Sequence, residues 1–194
     1  MNHNVDLSSL RPNSNRALWW RCRFVESHVW KAAVAHRSNG TGCPYCAGRK
    51  VDERNSLSAV NPTLAARWDY ERNHGLTPSD VTASSSRKVW WRCCCNPHHQ
   101  FEAIVYNMAR RPQACPYCSG KLVDESNSLQ SIYPQIARQW HATLNSPLQA
   151  SDVTCQSGKK VWWQCLDNPL HVWQSTVQRR VIRGSGCPEC RARD

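Results

Sequence analysis

The chain has 194 residues, and 25 Lys plus Arg against 14 Asp plus Glu give it a formal charge of +11. Twelve cysteines and ten tryptophans stand where one large core would need Leu, Ile, Val and Phe, so the composition points to small modules stapled by metal or disulfides. Residues 1–16, MNHNVDLSSLRPNSNR, lack the apolar core of a secretion signal, and no stretch approaches the roughly 18–20 apolar residues of a membrane span. The expectation is a cytoplasmic protein whose cysteines ligate metal rather than pair with one another.

In chain order, the first strong signal is Trp19-Trp20-Arg21-Cys22, which returns as Trp90-Trp91-Arg92-Cys93 and Trp162-Trp163-Gln164-Cys165, 71 and then 72 residues on. Cys43-Pro44-Tyr45-Cys46 returns as Cys115-Pro116-Tyr117-Cys118 and Cys187-Pro188-Glu189-Cys190 with a period of 72. Between them, Asn55, Ser56, Leu57, Pro62, Ala65, Trp68 and Asn73 reappear as Asn127, Ser128, Leu129, Pro134, Ala137, Trp140 and Asn145. The chain is therefore three copies of one module joined by two intact connectors. The expected divisions are residues 1–50, 51–122 and 123–194.

Each copy offers one frame: Cys-x5-His, 14 or 15 residues, then Cys-Pro-x-Cys. This selects Cys22, His28, Cys43 and Cys46, then Cys93, His99, Cys115 and Cys118, then Cys165, His171, Cys187 and Cys190. In Arg92-Cys93-Cys94-Cys95-Asn96-Pro97-His98-His99 the Trp-Trp-Arg anchor picks Cys93. His99 is picked because an aromatic, Phe101, follows two residues on, as Trp30 follows His28 and Trp173 follows His171. Cys94, Cys95 and His98 are then spare, as is Cys155, which stands where the preceding copy has Ala83. Three thiolates and one imidazole make a closed tetrahedral zinc site of the structural type. Sulfur ligands disfavour magnesium and calcium, and a histidine in every copy disfavours an iron–sulfur cluster.

The alternation in residues 29–34 and 101–106 predicts a strand after each ligand histidine. A polar turn at 38–42 would then lead a return strand to the Cys-Pro-x-Cys turn. Residues 61–68 read as a short helix with Asn61 as N-cap and Pro62 at its first position. Leu64 and Trp68, like Ile136 and Trp140, make its apolar face. The tryptophans, all in repeated slots, are read as the packing of these modules, with one of each Trp-Trp pair on the opposite strand face.

The pattern of WWRC, HVW, GCPYCAGRK, NSL, ARWDYERN, SDVT and KVWWRC resembles the tandem treble-clef zinc-finger repeats, also called probable zinc-ribbon repeats, over almost the whole chain. The resemblance implies a small zinc-stabilised α+β fold: three treble-clef or zinc-ribbon-like modules, each a β-hairpin plus knuckle, with helical connectors. Some such repeats accompany nuclease domains of the very-short-patch-repair type. None is read in this chain, which implies targeting or recruitment of a separately encoded effector.

Basic residues recur too. Arg87, Lys88, Lys159 and Lys160 precede the Trp-Trp pairs. Arg37, Arg110, Arg111, Arg179, Arg180 and Arg183 lie near the expected hairpin ends, and Arg49, Lys50 and Lys121 follow the knuckles. Nine thiolates and three Zn2+ ions would leave a charge of about +8. Positive charge once per module suits a polyanion with its own repeat. No repeated His, Asn or Asp set suggests catalysis, since His36, His74 and His141 stand alone. The expected function is non-catalytic binding of nucleic acid, duplex DNA first, with a protein-interaction adaptor as the alternative.

Overall fold

The computed structural model describes Asn2 and residues 5–192. They fall into two compact units, residues 1–113 and 114–194. In the first unit, β1 (Ala17–Arg21) pairs antiparallel with β2 (Val29–Ala33), and β3 (Lys88–Arg92) with β4 (Gln100–Ile104). In the second, β5 (Lys160–Gln164) pairs with β6 (Val172–Thr176). The register is the same in all three: Trp20 faces Trp30, Trp91 faces Phe101 and Trp163 faces Trp173. Each core-side indole N–H reaches across its ladder to a carbonyl, Ala32, Ala103 or Ser175, at 2.9–3.1 Å.

The hairpin differs from the sequence expectation. The strand after each histidine pairs with the Trp-Trp strand before the first cysteine, and no return strand leads to the Cys-Pro-x-Cys turn among the described residues. Instead the chain turns helical: α1 is Val34–Ser38 in the first copy. The second and third copies give Val105–Arg110 and Val177–Ile182. Val34, Val105 and Val177 continue the strand's alternation and equally start the buried face of a helix, so the pattern alone could not tell where the strand stopped. The turn expected at 38–42 is the exit of α1. Gly40 has φ +81°, and its N–H bonds Arg37 O at 3.1 Å while Thr41 N–H bonds His36 O at 3.0 Å. That pair is the Schellman closure, which favours glycine at the left-handed position. The arginines assigned to hairpin ends thus lie on or just after these helices.

The connectors repeat in detail. Ser56 caps α2 (Leu57–Val60) and Asn61 caps α3 (Pro62–Ala65), accepting from Ala59 N and Leu64 N. In the second unit Ser128 caps α4 (Leu129–Ile132), α5 (Pro134–Ala137) follows, and α6 (Ala142–Asn145) begins at His141. Asn73 Oδ1 accepts from Trp90 N–H and its amide donates to Trp90 O, both at 2.9 Å. Asn145 grips Trp162 in the same way at 2.9 and 2.8 Å. One asparagine thus satisfies both backbone groups on the open edge of the hairpin. Just before it, Trp68 bridges to Trp91 and Trp140 to Trp163, with rings edge-on at 5.3 and 5.7 Å. In the second unit Leu129, Val153, Val161, Trp163 and Val177 form the core, with Ile136, Trp140 and Trp173 against it. The first unit buries the matching Leu57, Val81, Val89, Trp91 and Val105.

Candidate metal centres

The pleat places the first two ligands of each set. Side chains two apart in a strand share a face, so Cys22 and His28 lie on the same face as Trp20 and Trp30. Cys22 N–H bonds His28 O at 3.0 Å and closes the ladder beyond β1 and β2. Cys93 with His99 and Cys165 with His171 make the same 3.0 Å bond. All three cysteines and all three histidines are buried. Within the loops, Phe24 N–H and Cys95 N–H point at Cys22 and Cys93 sulfur, both at 3.4 Å.

The other two ligands come from the Cys-Pro-x-Cys turn. Ala47 N–H bonds Cys43 O at 3.0 Å and Arg49 N–H bonds Pro44 O at 2.8 Å; Ser119 with Cys115 and Lys121 with Pro116 repeat this. In the third copy the turn runs into a final short helix, Pro188–Arg191. The Asn-Ser-Leu motif explains itself here. Asn55 Nδ2 donates to Tyr45 O and Lys50 O, each at 2.9 Å, and Asn127 does so to Tyr117 O and Leu122 O. The asparagine ties the metal turn to the start of the connector.

Cys22, His28, Cys43 and Cys46 present donor atoms within 4.8 Å of one another, as do Cys165, His171, Cys187 and Cys190, and the second copy carries the same four-residue frame in Cys93, His99, Cys115 and Cys118. The distances fit zinc. A tetrahedron with bonds of about 2.3 Å to sulfur and 2.0–2.1 Å to nitrogen has S···S edges of ~3.8 Å and S···N edges of ~3.6 Å. Cys22 and Cys46 sulfurs are 3.6 Å apart, and Cys165 and Cys190 sulfurs 3.7 Å. His28 Nδ1 lies 3.5 Å from both Cys43 and Cys46 sulfur. His171 Nδ1 lies 3.5 and 3.4 Å from Cys187 and Cys190 sulfur. The histidines therefore offer Nδ1 to the metal.

The thiol acidities show why a dication belongs there. Cys22 is held at about 7, chiefly because the Phe24 amide donates to its sulfur. Cys46, whose sulfur lies beside that of Cys22, is pushed up to about 11, and Cys190 beside Cys165 up to about 12. Three thiolates cannot share so small a space without a cation to neutralise them. Bound zinc supplies that charge and, with all four positions filled by protein, acts as a structural staple.

Nε2 of each histidine is left for an orienting partner. His28 Nε2 pairs with Asp52 of the connector. Burial raises the Asp52 carboxyl, but the Asn55 and Arg54 amides and His28 together hold it below the usual carboxylate range. The third copy uses other groups: Glu189 Oε2 lies 3.4 Å and Asn168 Nδ2 3.0 Å from His171 Nε2. Asn96 lies 3.1 Å from His99 Nε2. These orienting residues were not found in the sequence, although Asp52 and Asp124 occupy one repeated slot that could have signalled them.

Of the spare residues, Cys94, Cys95 and His98 are exposed and Cys155 is half-buried. Among the candidate phosphate contacts, Arg49, Lys50, Arg87, Lys88, Arg110, Arg111, Lys121, Lys159, Lys160, Arg179 and Arg183 are exposed. Lys88 pairs with Glu102 at 2.6 Å and Arg110 donates to Tyr106 hydroxyl at 2.6 Å. Arg180 does not belong with them. It is 4% exposed, its guanidinium 5.4 and 5.6 Å from the Trp163 and Trp173 ring centres. A long side chain can bury its stem and stack its charge on indole, and counting charges in a sequence does not reveal that. Its counterpart Arg37 is half-buried, over Trp20 and Trp30 at 5.2 and 5.5 Å.

No curated protein matches the chain as a relative. A family model described as a probable treble clef zinc finger domain matches it three times, over residues 1–49, 64–121 and 136–193. Each match holds one complete four-ligand set, and together they cover most of the sequence. The chain belongs to the probable treble clef zinc finger domain family, with three tandem copies and three structural zinc sites.

Proposed function

We propose that this protein is a non-catalytic, zinc-dependent nucleic-acid-binding protein, with duplex DNA as its first target, serving to recruit a separately encoded effector. The observation that carries the reading is a groove of about 750 Å3 in the first unit. Its lining includes Arg49 and Lys50 after the knuckle, Arg87 before the next hairpin, and Ser84, Ser85 and Ser86 between. Guanidinium, ammonium and hydroxyl groups converging on one concave surface suit phosphate oxygens. Asp80 also lines the groove, but its Oδ2 accepts from Thr77 N–H and hydroxyl at 2.9 and 2.6 Å. In the second unit Lys121 and Lys159 occupy the sequence positions of Arg49 and Arg87, and both are exposed.

If each module neutralises one or two phosphates, log K should fall with log[salt] at a slope of about −3 to −5. Replacing Arg49, Lys50 and Arg87 by Ala should reduce the magnitude of that slope by roughly 2 and weaken binding to all sequences alike. Zinc-loaded protein that binds neither duplex nor single-stranded nucleic acid at low salt would refute the reading. A second reading, a protein-interaction adaptor, is favoured by Phe24, Leu166 and Leu170, which project from the first and third metal loops with 57–88% exposure. Large apolar side chains held in water mark contact sites, and on this reading Leu166→Ser with Leu170→Ser, both in the third metal loop, would abolish partner capture and leave DNA binding intact.

A further inference from the structure

The zinc frame leaves Cys94 and Cys95 unused. The corresponding loop positions are Arg23 and Phe24 in the first copy and Leu166 and Asp167 in the third, so zinc binding does not call for them. Both are exposed, and their sulfurs lie 3.5 Å apart. Cys94 sulfur is steadied by Gln113 Oε1 at 3.0 Å, and Cys95 N–H bonds the Cys93 sulfur. One contact thus holds the Cys94 sulfur and the other the Cys95 backbone.

We infer that Cys94 and Cys95 form a second binding site in the middle module, a vicinal dithiol that chelates a soft, thiophilic ion of pyramidal geometry, with trivalent arsenicals as the chemical class. The geometry separates this from the other uses of two thiols. Soft metal–sulfur bonds are about 2.3 Å long, so a linear S–M–S unit needs sulfurs ~4.6 Å apart, whereas a bond angle of about 100° needs ~3.5 Å. A disulfide is poorly served, because consecutive Cα atoms across a trans peptide are about 3.8 Å apart, short of the roughly 4.4–6.8 Å that disulfides span. The reaction is a condensation. An organoarsenic(III) oxide and two thiols give a dithioarsenite and water: two As–S bonds form, two S–H bonds and the As=O bond break, both protons leave with the oxygen, and nothing is oxidised or reduced.

The test uses the zinc-loaded full-length chain and phenylarsine oxide, with native mass spectrometry and a count of titratable thiols. The expected result is one phenylarsine adduct, two fewer accessible thiols and three zinc ions retained. The adduct should resist 2-mercaptoethanol and be removed by ethanedithiol. Cys94→Ser and Cys95→Ser each leave one thiol and should each lose the resistant adduct while keeping three zinc ions. No resistant adduct on the parent chain would overturn the assignment. So would a resistant adduct on either variant, or loss of zinc on treatment, since both would place the arsenical on the zinc ligands.

Discussion

The second and third hairpins share a backbone register but fill one slot differently. Over the buried indole, the third carries Arg180, its guanidinium over both the Trp163 and Trp173 rings, with its Nη2 donating to Gln139 Oε1 at 2.5 Å. In the second hairpin the corresponding positions are Met108, Trp91 and Phe101, all buried. What the slot demands is a long, slender side chain three residues after the buried valine of the helix, because i and i+3 share a helix face. Charge is tolerated there when an indole face meets it, and is not required. The ring opposite changes with it: a tryptophan pairs with the arginine, a phenylalanine with the methionine.

The comparison breaks most completely if the metal is taken away. Structural zinc contributes roughly 10–16 kcal/mol of apparent binding energy per site at neutral pH, more than small modules have in total stability. Strong chelation should therefore abolish the near-ultraviolet circular dichroism of the tryptophans around all three hairpins. A retained signal would mean that the Trp clusters hold their packing without zinc.

Exchanging the slot residues should expose an asymmetry. Met108→Arg puts a charge where Phe101 offers a smaller ring than Trp173, and a buried charge without compensation costs about 3–5 kcal/mol. Arg180→Met should change stability by less than about 1.5 kcal/mol, since Arg180 Nε is already buried without a hydrogen-bond partner and burial lowers the pKa of this guanidinium. Denaturant midpoints of the two variants would show it; equal losses would mean that the slots are tuned individually.

Asn73→Ala and Asn145→Ala should each cost about 1–3 kcal/mol, because each leaves a hairpin-edge N–H, of Trp90 or Trp162, without its partner, while the carbonyl still accepts from the Asp69 or His141 N–H. The two losses should match, since the clamps are alike. The smallest effect concerns Asp69, where the third copy has His141. Burial raises the Asp69 carboxyl, yet the Arg72 amide and the Arg92 guanidinium together hold it below its ordinary value. Its folded pKa is depressed, so its contribution is present above the ordinary carboxylate pKa of about 3.9 and is lost as pH falls through the lowered value. Asp69→Asn should lower stability at neutral pH and flatten the acid limb of the stability curve below about pH 4; an unchanged acid limb would remove Asp69 from the account.

Much of the frame was legible because it repeats. Three copies aligned the ligand positions and separated Cys93 from Cys94 and Cys95, and the cap at Asn61 followed from asparagine before proline. The hairpin partner was not legible. Residues 29–34 alternate smoothly into Val34, which serves a strand face and a helix face equally, so nothing local marks a stop before α1. The clamps made by Asn73 and Asn145 were visible only as repeated asparagines, because a side chain that hydrogen-bonds backbone 17 residues away leaves no local periodicity. Arg180 was misjudged because its burial depends on two indoles brought to it by the pairing of β5 and β6.

Counting zinc in the intact chain tests the central claim most directly. Native mass spectrometry of the purified protein should find three zinc ions, falling to two in Cys93→Ser and staying at three in Cys94→Ser and Cys95→Ser. A parent chain with fewer than three zinc ions, one that carries iron, or a Cys94→Ser variant that loses a zinc would contradict it.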